Sequence, residues 1–160
     1  MQEVRWPQAV RPLEISRQEG HRSGELAAER AKLVVRDADG GILKGYSYDF
    51  SPDRPRFHVV VMGELTRRTV EVRVKHLKAV FFVRDFMGDP SYNERKEFLP
   101  EQVVSGRQVE VTFTDGEVLV GSTVGYEPKR TGFFFIPADP QSNNLKVFAV
   151  AAAVSKVRFL

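Results

Sequence analysis

The sequence predicts an all-β chain in which one five-stranded unit is used twice. The first observation behind this is a repeat. The stretch LVVRDADGGILKG, then YSYDFSPDRPRF, starting at Leu33, returns at Val109 as VEVTFTDGEVLVG, then STVGYEPKRTGF. At a constant offset Val35 meets Val111, Asp39 meets Asp115, Gly40 meets Gly116 and Leu43 meets Leu119. Gly45 then meets Gly121, Pro52 meets Pro128, Arg54 meets Arg130 and Phe57 meets Phe133. After one inserted residue, Val70, Val72, Leu77, Val80 and Phe82 meet Val147, Ala149, Val154, Val157 and Phe159. Self-similarity at a fixed period means one structural unit used more than once. The second observation is alternation: Val70, Val72 and Val74 interleave with Glu71, Arg73 and Lys75, the pattern of a half-buried strand. The third is punctuation by Asp, Gly and Pro at short intervals, which marks hairpins.

Taken in order, residues 1–30 read as a poorly ordered N-terminal arm. They are rich in Arg, Gln, Glu, Gly and Pro and hold no lasting apolar period. Trp6 is the exception, a residue suited to docking on its own fold or on a partner. Gly24 to Arg30 can form a single helical turn leading into the first strand. The first unit spans 31–84. Lys32 to Arg36 is a strand, and Asp37 to Gly41 is a turn in which Gly supplies positive φ. Ile42 to Phe50 is the return strand. Gly45 inside it marks a sharp bend, the device by which a small sheet curls on itself. Ser51 to Pro55 is a second turn, Phe57 to Met62 an apolar strand, and Gly63 to Arg68 a third turn. The alternating strand from Val70 follows. His76 to Lys78 reads as one 3₁₀ turn, and Ala79 to Val83 as the last strand.

Residues 85–106 form a linker that is polar and turn-rich, with Phe86, Tyr92 and Phe98 placed to pin it across both units. A connection this long without its own structure is unusual in a compact domain and is a place where a partner can bind. The second unit spans 107–160. Its Phe133 to Ile136 is apolar on both faces, which calls for cover on both sides or for an interface. Pro137 to Asn144 is a polar loop whose Asp and Asn side chains suit local turn capping. The apolar C-terminus, Val157 to Leu160, calls for pairing in a sheet.

Five short strands, with a bend in the second and a single turn before the fifth, are the layout of an SH3-like or Sm-like barrel. The fold class is therefore two tandem five-stranded barrels of this kind, packed together. Leu33-x-Val35, Asp39-Gly40 and Leu43-x-Gly45 resemble the first half of the Sm motif, and Val109-x-Val111, Asp115-Gly116 and Leu119-x-Gly121 resemble it again. The likeness covers about two thirds of the chain. Sm-like proteins are small bent barrels that form rings and bind RNA. The second Sm motif is absent: Val74-Lys75-His76 and Ala151-Ala152-Ala153 stand in its place, so RNA contacts do not carry over residue by residue. The wording around Val80 to Phe86 and Pro137 to Asn144 is also similar to an uncharacterised bacterial domain family that brings no established activity.

The bulk numbers narrow the function classes. Hydrophobic content of 42% and charged content of 28% are ordinary for a soluble globular protein. No apolar run approaches the ~20 residues of a membrane helix. Trp6, Pro7 and Pro12 interrupt the N-terminus where a signal peptide needs an apolar core, so the expected compartment is the cytoplasm. Cysteine is absent, which removes disulfides and thiolate chemistry. There is no Gly-x-Ser-x-Gly elbow. His21, His58 and His76 are not spaced with one another or with carboxylates as metal ligands. Gly40-Gly41 leads into a strand rather than a helix, so it is no phosphate loop. Asp39 and Asp115 sit at matching positions, but turn formation explains both. The expectation is a non-enzyme that needs no cofactor.

The favoured role is a protein-interaction or regulatory adaptor, since small barrels bind peptides at edges and between loops. Its candidate contacts are Pro52, Arg54 and Arg130 in turns that recur in both units, with the linker aromatics Phe86 and Tyr92. The first alternative is an Sm-like nucleic-acid binder using Arg67, Arg68, Arg73, Lys75 and Lys78 on phosphates. The second is a PilZ-like cyclic-dinucleotide sensor. Arg54, Arg56, Arg67 and Arg68 offer guanidiniums for it, and Asp49-Phe-Ser51 supplies part of that family's motif, but Arg54 stands where its Gly belongs. A net charge of only +3 favours neither strongly. A homo-oligomer is compatible with all three.

Overall fold

The computed structural model describes residues 31–63 and 65–160. The N-terminal arm, with Trp6, His21 and the Gly24–Arg30 turn, lies outside them. The chain forms ten strands: β1 (Ala31–Asp37), β2 (Ile42–Ser47), β3 (Arg56–Met62), β4 (Arg67–Arg73), β5 (Leu77–Val83), β6 (Arg107–Phe113), β7 (Val118–Thr123), β8 (Gly132–Pro137), β9 (Asn144–Val150) and β10 (Val154–Phe159). One 3₁₀ turn, Val74–His76, precedes β5 and another, Ala151–Ala153, precedes β10.

All ten strands pair antiparallel in one sheet of order β10-β6-β7-β8-β9-β5-β1-β2-β3-β4. The all-β expectation is met at that level. Two separate barrels packed together are not what the hydrogen bonding gives. The sheet is open, with β4 and β10 at its edges, and the two blocks of five strands meet as a strand pair. In that seam Ala79 faces Ala149, Val80 faces Phe148 and Phe81 faces Val147. A single register shift falls between Phe82 and Val83.

The hairpins follow from their turn residues. Gly40 and Gly116 have φ of +106° and +96°, the left-handed region that Gly enters at no steric cost. Gly45 and Gly121 have a different task. A Cβ on Gly45 would fall on the carbonyl oxygen of Val60, and one on Gly121 on that of Ile136. The backbones of β2 and β7 bend across their neighbours at these points, and only a residue without a side chain allows the approach.

Backbone hydrogen bonds recur at matching positions, three of them outside the first hairpin turns. Arg54 N donates to Ser51 O as Arg130 N does to Glu127 O; Val74 N donates to Pro55 O as Ala151 N does to Thr131 O; Ala38 N donates to His76 O as Thr114 N does to Ala153 O. The first 3₁₀ turn lies two residues earlier than expected, because Leu77 already pairs with Asp37 and belongs to β5. β2 ends at Ser47, short of Phe50. The Phe50 ring turns inward and meets Phe57, Phe82, Phe134 and Phe148 edge-on, with centroids 4.9 to 6.1 Å apart.

The core is divided by the seam, and each block lends residues to the other. One cluster holds Leu33, Val35, Phe57, Val59, Val72 and Val80 with Phe148 and Val150 from β9. The other holds Val109, Val111, Phe113, Phe133, Phe135 and Val147 with Ala79, Phe81 and Val83 from β5. β8 serves both, which explains its unbroken apolar run: Phe133 and Phe135 face one cluster and Phe134 the other. Burying a Phe of this kind stabilises by roughly 1.5–3 kcal/mol relative to leaving it in water.

The 84–106 connection contains no strand or helix; Arg84, Asp85 and Glu94 bond to the 137–144 loop, and a buried carboxylate there anchors it further. Asp139, 2% exposed, accepts hydrogen bonds from Tyr92 Oη, Arg95 N and Gln141 N. Burial raises the Asp139 carboxyl, but these donors outweigh it and hold the group below the ordinary carboxylate range. The polar 137–144 loop thus caps itself, as its composition suggests, and also anchors the connection.

Candidate functional site

The turn residues singled out in both blocks come together. The turn between β2 and β3 carries Pro52, Asp53 and Arg54; the turn between β7 and β8 carries Pro128, Lys129 and Arg130. They are far apart in the chain, yet Arg130 Nη1 lies 3.5 Å from Asp53 Oδ1. Both side chains are largely exposed, so this contact registers the turns side by side but contributes little stability.

Beside these turns is an open groove of about 390 Å³ lined by Pro55, Arg56, Arg73, Val74, Lys75 and Thr131. Antiparallel pairing of β3 and β4 sets Arg56 opposite Arg73. The 3₁₀ turn then carries Lys75 to the same place. Thr131 comes from the other block, at the foot of β8. No carboxylate lines the groove. Glu71, next along β4, reaches Arg56 at 3.2 Å from outside it, and both side chains are about half exposed. Among the described residues neither Arg73 nor Lys75 is paired with a carboxylate.

Two of the expected contact residues are buried. Lys78 is 5% exposed. Its ammonium lies over the Phe113 ring and donates to Asp115 at 2.7 Å and to Glu117 at 2.5 Å. A lysine consumed in this way does not serve a phosphate backbone. Phe86 is 7% exposed and packs edge-on against Tyr46 at 5.4 Å, so it pins the connection rather than facing a partner. Tyr92 is partly exposed, with its hydroxyl on Asp139. Arg67 and Arg68 are exposed, but Arg67 pairs with Met62 at the far end of the β3–β4 hairpin from the Arg56–Arg73 pair. Seven strand residues at about 3.3 Å each put roughly 20 Å between the two ends. Sequence reasoning missed Thr131 as a partner of Arg56 and Arg73, because their meeting depends on how the two blocks join.

Two other polar clusters stand among the described residues. Asp49 accepts from the His58 amide at 2.9 Å and from Ser47 Oγ at 3.3 Å, and lies 2.8 Å from His58 Nδ1. Burial raises this carboxyl, and the bonds from His58 and Ser47 outweigh it and lower it. Ser47 thus bonds to the acid and not to the imidazole, the wrong order for an activated nucleophile. A second groove, about 620 Å³, brings Asp37, Asp39, Glu71 and His76 near Val35 and Leu43, and Arg73 borders this groove as well as the basic one. Burial, then Asp39, raises the Asp37 carboxyl, and His76 partly offsets this. Among the described residues no group of three His, Cys, Asp or Glu could hold a metal ion. No helix among them is long and apolar enough to cross a membrane.

No curated protein and no solved structure matches the chain. A family profile does match it, over residues 29–160, which takes in all ten strands and both turn surfaces. The chain belongs to DUF6982, a family of unknown function.

Proposed function

We propose that this chain is a non-enzymatic protein-binding module, an interaction or regulatory adaptor of the bacterial cytoplasm. It is built from two small SH3-like or Sm-like units that share one sheet. The identical strand order within each block and the three recurring hydrogen bonds support the two-unit reading. The observation that carries the function is the Arg130–Asp53 contact. It merges two matching turns into one exposed surface bearing Pro52, Arg54, Pro128, Lys129 and Arg130. Rigid Pro-containing turns offer contact area at low entropic cost, and exposed guanidiniums supply planar donors for carboxylates and carbonyls.

The test is capture from a native extract with the full chain as bait, beside an Arg54→Ala/Arg130→Ala double variant of unchanged melting temperature. The expected result is a set of proteins retained by the parent chain and lost with the variant. Retention that does not depend on these two residues would overturn the reading.

The nucleic-acid alternative is weaker. With Lys78 buried, the remaining cations split between the two ends of β4, with Glu71 between them, and form no continuous track. The cyclic-dinucleotide alternative suffers from the same separation, since Arg67–Arg68 and Arg54–Arg56 lie at opposite ends of one hairpin.

A further inference from the structure

The groove lined by Arg56, Arg73, Lys75 and Thr131 assembles three cations from two stretches of chain, with no carboxylate in its wall among the described residues. Like charges gathered on one concave surface repel, and the arrangement is relieved when an anion enters. Arg56 has Glu71 as a partner, but with both side chains about half in water that pair exchanges readily. Arg73 and Lys75 have donors to spare. Thr131 adds a hydroxyl. A tetrahedral oxyanion matches this set: Arg offers paired parallel donors and Lys a compact positive charge.

We propose that this groove binds a single phosphate group, carried on a phosphorylated side chain of a partner protein. The proposal rests on the adaptor reading and names what its partner presents. Three features select the carrier. The groove is small, about 390 Å³, and fits one phosphate group rather than a run of them. The lining contains no aromatic ring on which a base could stack, which disfavours a nucleotide. The groove is continuous along the chain with both proline turns: Pro55 and Arg56 follow Arg54, and Thr131 follows Arg130. A peptide with its phosphate in the groove would lay its flanking residues across the turn surface.

The experiment titrates the full chain, labelled for amide NMR, at low salt. The probes are short blocked peptides containing phosphoserine, phosphothreonine or phosphotyrosine, their unphosphorylated forms, inorganic phosphate, and a single-stranded RNA of about 20 nucleotides. The expected result is binding of at least one phosphopeptide, with shifts centred on Arg73, Lys75 and Thr131. That binding should weaken by about tenfold or more in Arg73→Gln and in Lys75→Gln, and fall with added salt. Both substitutions are at exposed positions, and melting curves confirm that the variants fold. Phosphopeptide binding unaffected by either substitution would overturn the proposal. So would binding of inorganic phosphate without phosphopeptide, or RNA bound more tightly than every phosphopeptide. The two proposals separate cleanly. Captured proteins that need Arg54 and Arg130 but survive phosphatase treatment and the Arg73→Gln change would remove the phosphate site alone. Phosphopeptide binding with no capture dependent on Arg54 and Arg130 would remove the turn surface alone.

Discussion

Lys78 and Asp115 are joined at 2.7 Å across the boundary between the two blocks. Lys78 is the second residue of β5, and Asp115 sits in the turn after β6. The bond therefore fastens the second block's first hairpin to the first block's last strand, independently of the β5–β9 pairing.

Its pH dependence has a definite sign. The hydrogen bond from Lys78, then that from the Glu117 amide, lowers the Asp115 carboxyl below its ordinary value of 3.8. A carboxylate lowered by folding stabilises the native state above its unfolded value, and that contribution is lost as pH falls through the folded value. Melting temperature measured from pH 6 downward should drop below about pH 3.8. In Lys78→Met the melting temperature at pH 6 should be lower and part of the acid-dependent drop should disappear. An identical acid profile in parent and variant would show that the bond does not form in solution.

The bends in β2 and β7 give a steric prediction. Gly121→Val should destabilise by about 1–3 kcal/mol, since the new side chain meets the Ile136 carbonyl and the Phe135 ring. Gly45→Val should do the same against Val60 and Val59. Gly125→Val should be nearly silent in the same urea titration, because nothing lies within 4 Å of a Cβ there.

Phe148 tests whether the blocks unfold together. It lies on β9, yet its ring packs among residues of the first block, with Phe50 at 5.3 Å. Phe148→Ala should cost about 3–5 kcal/mol. The loss should appear in one cooperative transition seen alike by far-UV circular dichroism and by Tyr fluorescence, because removing it damages both blocks at once.

Asp139 tests the connection. Asp139→Ala removes the acceptor for Tyr92 and for the Arg95 and Gln141 amides. Hydrogen exchange of the Arg95 and Gln141 amides should accelerate by about tenfold or more while the amides of β1 and β6 keep their protection.

Much of the fold was legible because it rests on local pattern. The glycines at 40 and 116 announced their hairpins, those at 45 and 121 their bends, and the valines of β4 their alternation. The seam was not legible. β5 and β9 both read as buried strands, and nothing in either one's period says which distant strand completes it. Lys78 was misread for a related reason. It extends the series Arg73, Lys75, Lys78, which looks like one basic stripe. The 3₁₀ turn between β4 and β5 resets the phase and sends Lys78 inward, and its apolar neighbours Leu77 and Ala79 to Val83 were the available signal. Arg73 and Lys75 were recognised as candidate phosphate contacts, but their meeting with Thr131 depends on tertiary joining of the blocks.

The seam has a consequence for the two free borders of the sheet. Where β9 presents Phe148 and Val150 to its neighbour, the matching positions of β4 hold Glu71 and Arg73. Where β5 presents Ala79 and Phe81, the matching positions of β10 hold Lys156 and Arg158. The backbone of each border could accept another copy and lengthen the sheet without end. The side chains oppose it, since each added copy would set charged residues, Glu71 held by Arg56 and Arg158 by Glu110, where the internal joint has apolar ones. At the sheet's two borders four charged residues thus stand where the internal joint is apolar, and they act against growth by strand addition.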